Sequence, residues 1–189
     1  MEKSDVEFKK LNISIFSLNY FIQGLNQSMF AVIVPIYLIL ELRTVASEDI
    51  AFLTSIVLLP FAIKFVYGML SDKFSFKKLG RRKPWIIGPI SISGLLWVIL
   101  PFIITPKSVF MTFLISGVII ILGVAIADTA IDGLILDICP KEQLGRTQGI
   151  CWGFRSVGII TGGPLIVAFY LLVGGNIELI FIGLGIIMI

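Results

Sequence analysis

The chain has 189 residues, 57% hydrophobic and only 14% charged, with a formal net charge of +3 and a mean hydropathy of +1.03. A soluble domain carries roughly a quarter charged residues, so water cannot be the solvent for most of this surface. With no histidine and only two cysteines, Cys139 and Cys151, the sequence excludes a histidine-based metal site, triad or proton relay, and a disulfide framework.

At the N-terminus Glu2, Asp5 and Glu7 offset Lys3, Lys9 and Lys10. The apolar stretch that follows is too long for a signal peptide and lacks a small-residue cleavage site. Six apolar segments then come in order, at 11–40, 50–70, 85–104, 109–138, 147–173 and 177–189. The fold class expected is an all-α membrane protein, one transmembrane bundle of six helices. A span needs roughly 20 residues. The sixth segment is still apolar where the sequence stops, so it is expected to be an incomplete helix and the chain a fragment.

The first segment carries amides at Asn19, Gln23, Asn26 and Gln27, beside Tyr20. Their spacing places Asn19, Gln23 and Asn26 on one face, and amides inside a membrane helix need partners. The second segment contains Pro60 and Lys64, and the third follows Pro84-Trp85 and contains Pro89. The fourth holds Asp128 and Asp132, four apart and therefore on one face, with Asp137 expected in solvent at its boundary. The fifth holds Arg155 and two small-xxx-small pairs, Gly149/Gly153 and Gly158/Gly162, which suit close helix packing. Short turns at 105–108 and 174–176 should make the flanking helices antiparallel neighbours.

Orientation follows from the basic residues. With the N-terminus in the cytoplasm, the inner side holds Lys3, Lys9, Lys10, Lys73, Lys77, Lys78, Arg81, Arg82, Lys83, Lys141 and Arg146, against Arg43 and Lys107 outside. The expected location is the cell membrane, multi-pass, N-terminus inside. At roughly 1.5 Å per residue, Lys64, Asp128, Asp132 and Arg155 all fall in one layer, about 8–15 Å above the inner surface. Each costs a few kcal/mol or more if left alone in hydrocarbon. Either they form a static ion-pair network or they take part in function, for which two carboxylates on one face suit proton uptake.

Between the second and third segments the sequence reads Gly68-xxx-Asp72, then Gly80-Arg81-Arg82-Lys83-Pro84-Trp85. Positive-inside anchoring accounts for the basic residues but not for Gly68, Asp72 and Gly80; Asp72 is suited to accept from backbone donors at a helix terminus. This pattern resembles the loop motif of the major facilitator superfamily, in the variant with a longer gap from Asp72 to Gly80 and a following Pro-aromatic pair. That variant occurs in muropeptide permeases, acetyl-CoA transporters, folate–biopterin transporters and sugar–cation symporters. The stretch Asp128-Thr-Ala-Ile-Asp132, with Pro140-Lys-Glu142, Gly145, Gly153, Arg155 and Gly158, is similar to the fourth-to-fifth-helix region of the first three groups.

The resemblance implies the N-terminal six-helix half of a secondary transporter, a symporter for a small solute, driven by a proton or cation gradient. Lys64 and Arg155 would suit an anionic one. The substrate and proton path would draw on Asn19, Tyr20, Gln23, Asn26, Lys64, Asp128, Asp132 and Arg155, since the first helix lines the central cavity of that fold. Gly68, Asp72, Gly80, Arg81, Arg82 and Lys83 would form a conformational-switch loop. The partners implied are the lipid bilayer, the solute, the coupling ion and a second six-helix bundle, with no nucleic acid and no cofactor. No phosphate-binding loop of the Gly-xxxx-Gly-Lys-Ser/Thr type is present, and no nucleophile has a histidine partner, so an enzyme is not expected. The alternatives are a non-transporting assembly or receptor protein on the same fold, or an inactive fragment.

Overall fold

The computed structural model describes residues 10–39, 46–74, 80–172, 174 and 176–189. Lys3, Lys9, Arg43, Lys77 and Lys78, which the orientation count uses, lie outside them. The described residues form six helical rods. The first, α1, is Lys10–Ser28, carried on through a π-helical turn at Met29–Ile33 and by Val34–Tyr37. Next come α2 (Ser47–Lys73), α3 (Lys83–Ile103), α4 (Val109–Ile138), α5 (Lys141–Leu172) and α6 (Ile177–Met188). Among the described residues α2 to α5 are long and apolar enough to cross a membrane, and α6 is a shorter apolar helix. The five amides of α1, Asn12, Asn19, Gln23, Asn26 and Gln27, lower its own hydropathy.

The fifth helix starts at Lys141, ahead of the expected Thr147. Pro140 at its N-cap has extended dihedrals, φ −56° and ψ 141°, which stop continuation from α4. Glu142 then lies in the first turn, where the helix dipole favours it. Likewise α2 begins at Ser47 with Glu48 and Asp49 in its first turn.

Prolines set the irregular turns. A proline inside a helix lacks the N–H and crowds the carbonyl four residues back, and widening or tightening one turn relieves both. Pro35 follows the π-helical turn of α1, Pro164 lies inside the one at Thr161–Leu165 of α5, and Pro60 opens the 3-10 turn Leu59–Ile63 of α2. Regular helix resumes in α2 at Lys64, so the Pro60 break fixes where that charge points. In α3, beside Pro89, the Ser93 hydroxyl lies 3.0 Å from Pro89 O and 2.9 Å from Ile120 O of α4, linking the two helices.

In the packed arrangement α4 is central, touching α1, α2 and α3; α1 lies along α5, and α3 along α6. Glycines permit the two close seams. A Cβ at Gly162 would sit 2.7 Å from Leu25 O, and one at Gly158 would overlap Phe21 O; one at Gly24 would overlap Arg155 O in the reverse direction. Across α3–α6, a Cβ at Gly94 would lie 2.9 Å from Gly185 O, and one at Gly185 2.6 Å from Gly94 O. The Gly149/Gly153 pair, expected to pack likewise, faces open space. The turn through Gly174, at φ +73°, joins α5 to α6, yet α6 packs mainly on α3.

The core divides by polarity. Phe30, Trp97, Phe113 and Phe181 are fully buried and stack with centroids 5.0–6.0 Å apart. The outer surface exposes Phe65, Phe102, Met111 and Leu172. Such apolar exposure is untenable in water and natural against lipid.

Glycine-to-alanine exchanges should therefore separate by site. Gly158→Ala will cost about 1–3 kcal/mol through overpacking and lower the melting temperature in detergent. Gly149→Ala will leave it unchanged; equal losses in both variants would contradict the α1–α5 seam.

Candidate functional site

The charged layer expected from the sequence forms between α1, α2, α4 and α5, though its pairing differs from simple mutual neutralisation. Lys64, placed at the restart of α2, forms an ion pair with Asp128 Oδ2 on α4. Asp128 is 5% exposed and Lys64 31%, so the pair opens to one side through its lysine. Lys64 also lies 5.2 Å from the Phe61 ring centroid. One turn along α4, Asp132 has no ion pair among the described residues; it accepts from the Tyr20 hydroxyl of α1. That hydroxyl also lies 3.3 Å from Gln148 Oε1 of α5.

Arg155 does not pair with either carboxylate. Its Nη2 donates to Gln27 Oε1 at 2.8 Å, and its guanidinium lies 4.5 Å from the Trp152 ring centroid, a cation–π contact. Trp152 in turn meets Tyr20 edge to face at 6.2 Å. The layer is thus one continuous contact chain: Asp132 to Tyr20, to Trp152, to Arg155, to Gln27. Arg155 Nε and both amide atoms of Gln23 are buried without a hydrogen-bond partner among the described residues.

Asn19, Gln23 and Asn26, expected on one face, do not turn to the same partners. Asn26 points away from the charges: its Oδ1 accepts from Trp97 Nε1 at 2.7 Å, and its amide N–H donates to Ile22 O at 2.8 Å and meets Met188 Sδ at 3.4 Å. It ties α1 to α3 and α6 inside the aromatic core. Asn19 bonds its own helix at Ile15 O, 2.9 Å away. The residues that α1 turns to the charges are Tyr20 and Gln27, with Gln23 between them at helical spacing.

The loop residues make a second cluster. Gly80 has φ +82°, a left-handed conformation that favours glycine, and it turns the chain into α3. Arg82 is the hub, its Nη2 2.7 Å from Asp72 Oδ1, its Nε 3.1 Å from Asp137 Oδ2 and its Nη1 3.1 Å from Ser71 Oγ. Asp72, expected to meet backbone donors, meets this guanidinium instead. Asp137 is exposed, as expected, and also accepts from Arg81 at 2.7 Å. That bond holds the Arg81 guanidinium above its ordinary pKa, firmly charged. Gly133 of α4 is the bed for Arg82: a Cβ there would lie 2.6 Å from Arg82 Nη2 and closer still to its Cζ. Gly68 is less critical, since a Cβ would meet Thr129 Cγ2 at 3.4 Å. Lys83 is exposed, and Trp85 Nε1 closes the loop on Phe74 O at 3.1 Å.

The geometry adds Gln27, Gln148, Trp152, Asp137 and Gly133 to the residues that the sequence placed in the path and the loop. Two signals in the sequence bear on them. Gln148, Trp152 and Arg155 recur at spacings of four and three on one helix, and Gly133 and Asp137 share a stripe of α4.

The family model for the major facilitator superfamily matches residues 16–189. The chain belongs to the major facilitator superfamily. It is 33% identical over 149 residues to "Putative transporter AmpG 1" of Rickettsia conorii, covering 74% of this chain and 35% of that protein. It is 30% identical over 169 residues to "Probable folate-biopterin transporter 4" of Arabidopsis thaliana, covering 87% of this chain and 33% of that protein. The chain spans about a third of the length of the curated relatives it matches. Both relatives fall in subgroups that the loop and fourth-helix motifs resemble. The all-α membrane fold expected from the sequence is that of this superfamily.

Two outcomes check the clusters. Lys64→Met and Asp128→Leu should each destabilise the superfamily bundle, by about 3 kcal/mol at most because Lys64 is partly exposed. The double variant should recover much of that loss in a thermal melt; additive losses would deny the pair. Gly133→Ala should push Arg82 off both carboxylates and raise trypsin cleavage at the Gly80–Lys83 turn to the level seen in Arg82→Gln. Unchanged cleavage would deny that Gly133 seats Arg82.

Proposed function

We infer that this chain supplies one six-helix half of a secondary carrier for a small anionic solute, coupled to a proton or cation gradient, with a second six-helix bundle completing the path. The observation that carries this reading is the unequal pairing of the charges within the spans. Lys64 and Asp128 neutralise each other, whereas Asp132 and Arg155 are each held only by neutral side chains and the Trp152 ring. An ionised group inside a membrane without a counter-charge is expensive, and functional sites are where such groups are kept.

In this reading Arg155 provides the counter-charge for the solute, and Trp152 and Gln23 line its approach. Asp132, steadied by Tyr20, takes and releases the coupling proton. The Lys64–Asp128 pair holds α2 to α4 and sets the background field. Transporter sites lie between two repeats, which is why a second bundle is part of the proposal. The excess of basic residues on the Gly80–Lys83 side supports a cytoplasmic N-terminus in the cell membrane, with the Arg82 cluster at the inner face as the conformational switch. Asn19 stays in the proposal as part of the path; Asn26 is given a packing role within it.

The Arabidopsis relative is named for folate and biopterin, and folate, which carries carboxylates, is a suitable probe. In energised membrane vesicles carrying the transporter that contains this chain, an imposed proton gradient should drive folate accumulation. Asp132→Asn should abolish the gradient's effect while leaving downhill equilibration. Arg155→Gln should raise KM on the order of tenfold, equivalent to about 1.4 kcal/mol. Full gradient-driven accumulation by Asp132→Asn would remove the proton role, and retention of folate without movement would favour a receptor.

A further inference from the structure

The side of the bundle that carries the Gly80–Lys83 turn has an open cleft of about 580 Å³ between that turn and the last turns of α4, at Leu134, Asp137 and Ile138. It stands apart from the buried charge layer. Three cations, Arg81, Arg82 and Lys83, line it with a single carboxylate, Asp137. That carboxylate is already shared, its Oδ2 serving Arg81 at 2.7 Å and Arg82 at 3.1 Å. Asp72 outside the cleft is taken by Arg82. Arg81 is half exposed and keeps guanidinium donors beyond the one that Asp137 uses. Lys83 is exposed and belongs to no ion pair among the described residues. The lining therefore carries uncompensated positive charge. The positive end of the α3 dipole, at Lys83, adds to it.

The cleft is also amphipathic. Leu134 and Ile138 form an apolar floor, and Ile87, one turn beyond Lys83 on the same stripe of α3, is 60% exposed. The indole of Trp85, bonded to Phe74 O, marks this level as the membrane–water interface, where amphipathic aromatics sit. A free inorganic anion would use the cations and leave the apolar floor wet. A headgroup phosphate with its acyl chains uses both.

We propose that this cleft binds an anionic phospholipid of the adjacent leaflet, its phosphodiester held by Lys83 and Arg81 and its first acyl methylenes lying on Ile87 and Leu134. The bound lipid supplies the counter-charge that Asp137 alone does not, and it bridges the loop to α4 from outside. The proposal depends on membrane insertion and on the loop geometry, and is independent of the solute or coupling ion.

The test uses the purified full chain in detergent, with lipid retention read by native mass spectrometry against equal amounts of phosphatidylglycerol and phosphatidylcholine. Phosphatidylglycerol should be retained preferentially. Lys83→Gln, which breaks no ion pair, should lower that retention about fivefold, the ratio that about 1 kcal/mol per basic side chain near an anionic surface gives. Arg81→Gln should act in the same direction, and Lys107→Gln, in the α3–α4 turn at the other end of the helices, should have no effect. Inorganic phosphate in large excess should leave the lipid in place. Equal retention of the two lipids, undiminished retention by Lys83→Gln, or displacement by inorganic phosphate would each overturn the assignment.

Discussion

An ionised carboxylate in the middle of a membrane helix must be given a partner, and α4 carries two of them on one face. Most of the arrangement around α4 follows from that constraint. Asp128 draws in Lys64 from α2, and Asp132 draws in Tyr20 from α1, which brings Gln148 of α5 within reach. Giving both carboxylates partners thus draws three neighbours to fixed heights, and α4 sits centrally among them. The hydrophobic effect does not bring helices together inside lipid, whereas polar contacts and close packing do. In this chain the polar contacts are few, buried and directional.

The prolines and glycines act in support of those contacts. The Pro60 turn ends the first part of α2 so that regular helix restarts at Lys64. Gly24, Gly158 and Gly162 let the backbones of α1 and α5 approach to near contact. That approach brings the Arg155 guanidinium to the Gln27 amide. A bulkier seam would separate Arg155 from Gln27 and Tyr20 from Trp152 together. The packing of α1 on α5 and the geometry of the charged layer are one feature.

Much of this was legible in the residues themselves. Long apolar runs, the Gly68–Trp85 loop and the coincidence in depth of Lys64, Asp128, Asp132 and Arg155 all follow from composition and the 1.5 Å rise of a helix. The partners were not. Depth along a helix says nothing of azimuth between helices, so a count of two positive and two negative charges suggested pairwise neutralisation where Arg155 instead meets Gln27 and Trp152. Asn26 illustrates the same limit: its spacing from Asn19 and Gln23 is sound, yet Trp97 offers an indole N–H from another direction and claims it. Asp137 read as solvated and is exposed, but its arginine partners were not read. Its two arginines come from a turn whose path depends on Gly80 and Gly133.

The two clusters are mechanically joined through α4. Gly133, on which Arg82 rests, is the residue after Asp132, and Asp137 lies one turn further along the same helix. A rigid helix cannot rotate at one of these positions and stay still at the next. Any turn of α4 that carries Asp132 away from Tyr20 also shifts the surface beneath the Arg82 guanidinium and moves the Asp137 carboxylate that it grips. Conversely, holding Arg82 in place resists that rotation. Asp132 is held by Tyr20, whereas Asp128 one turn away is paired with Lys64. A paired and an unpaired aspartate thus share one helix face, and the unpaired one lies next to the glycine where the loop is seated.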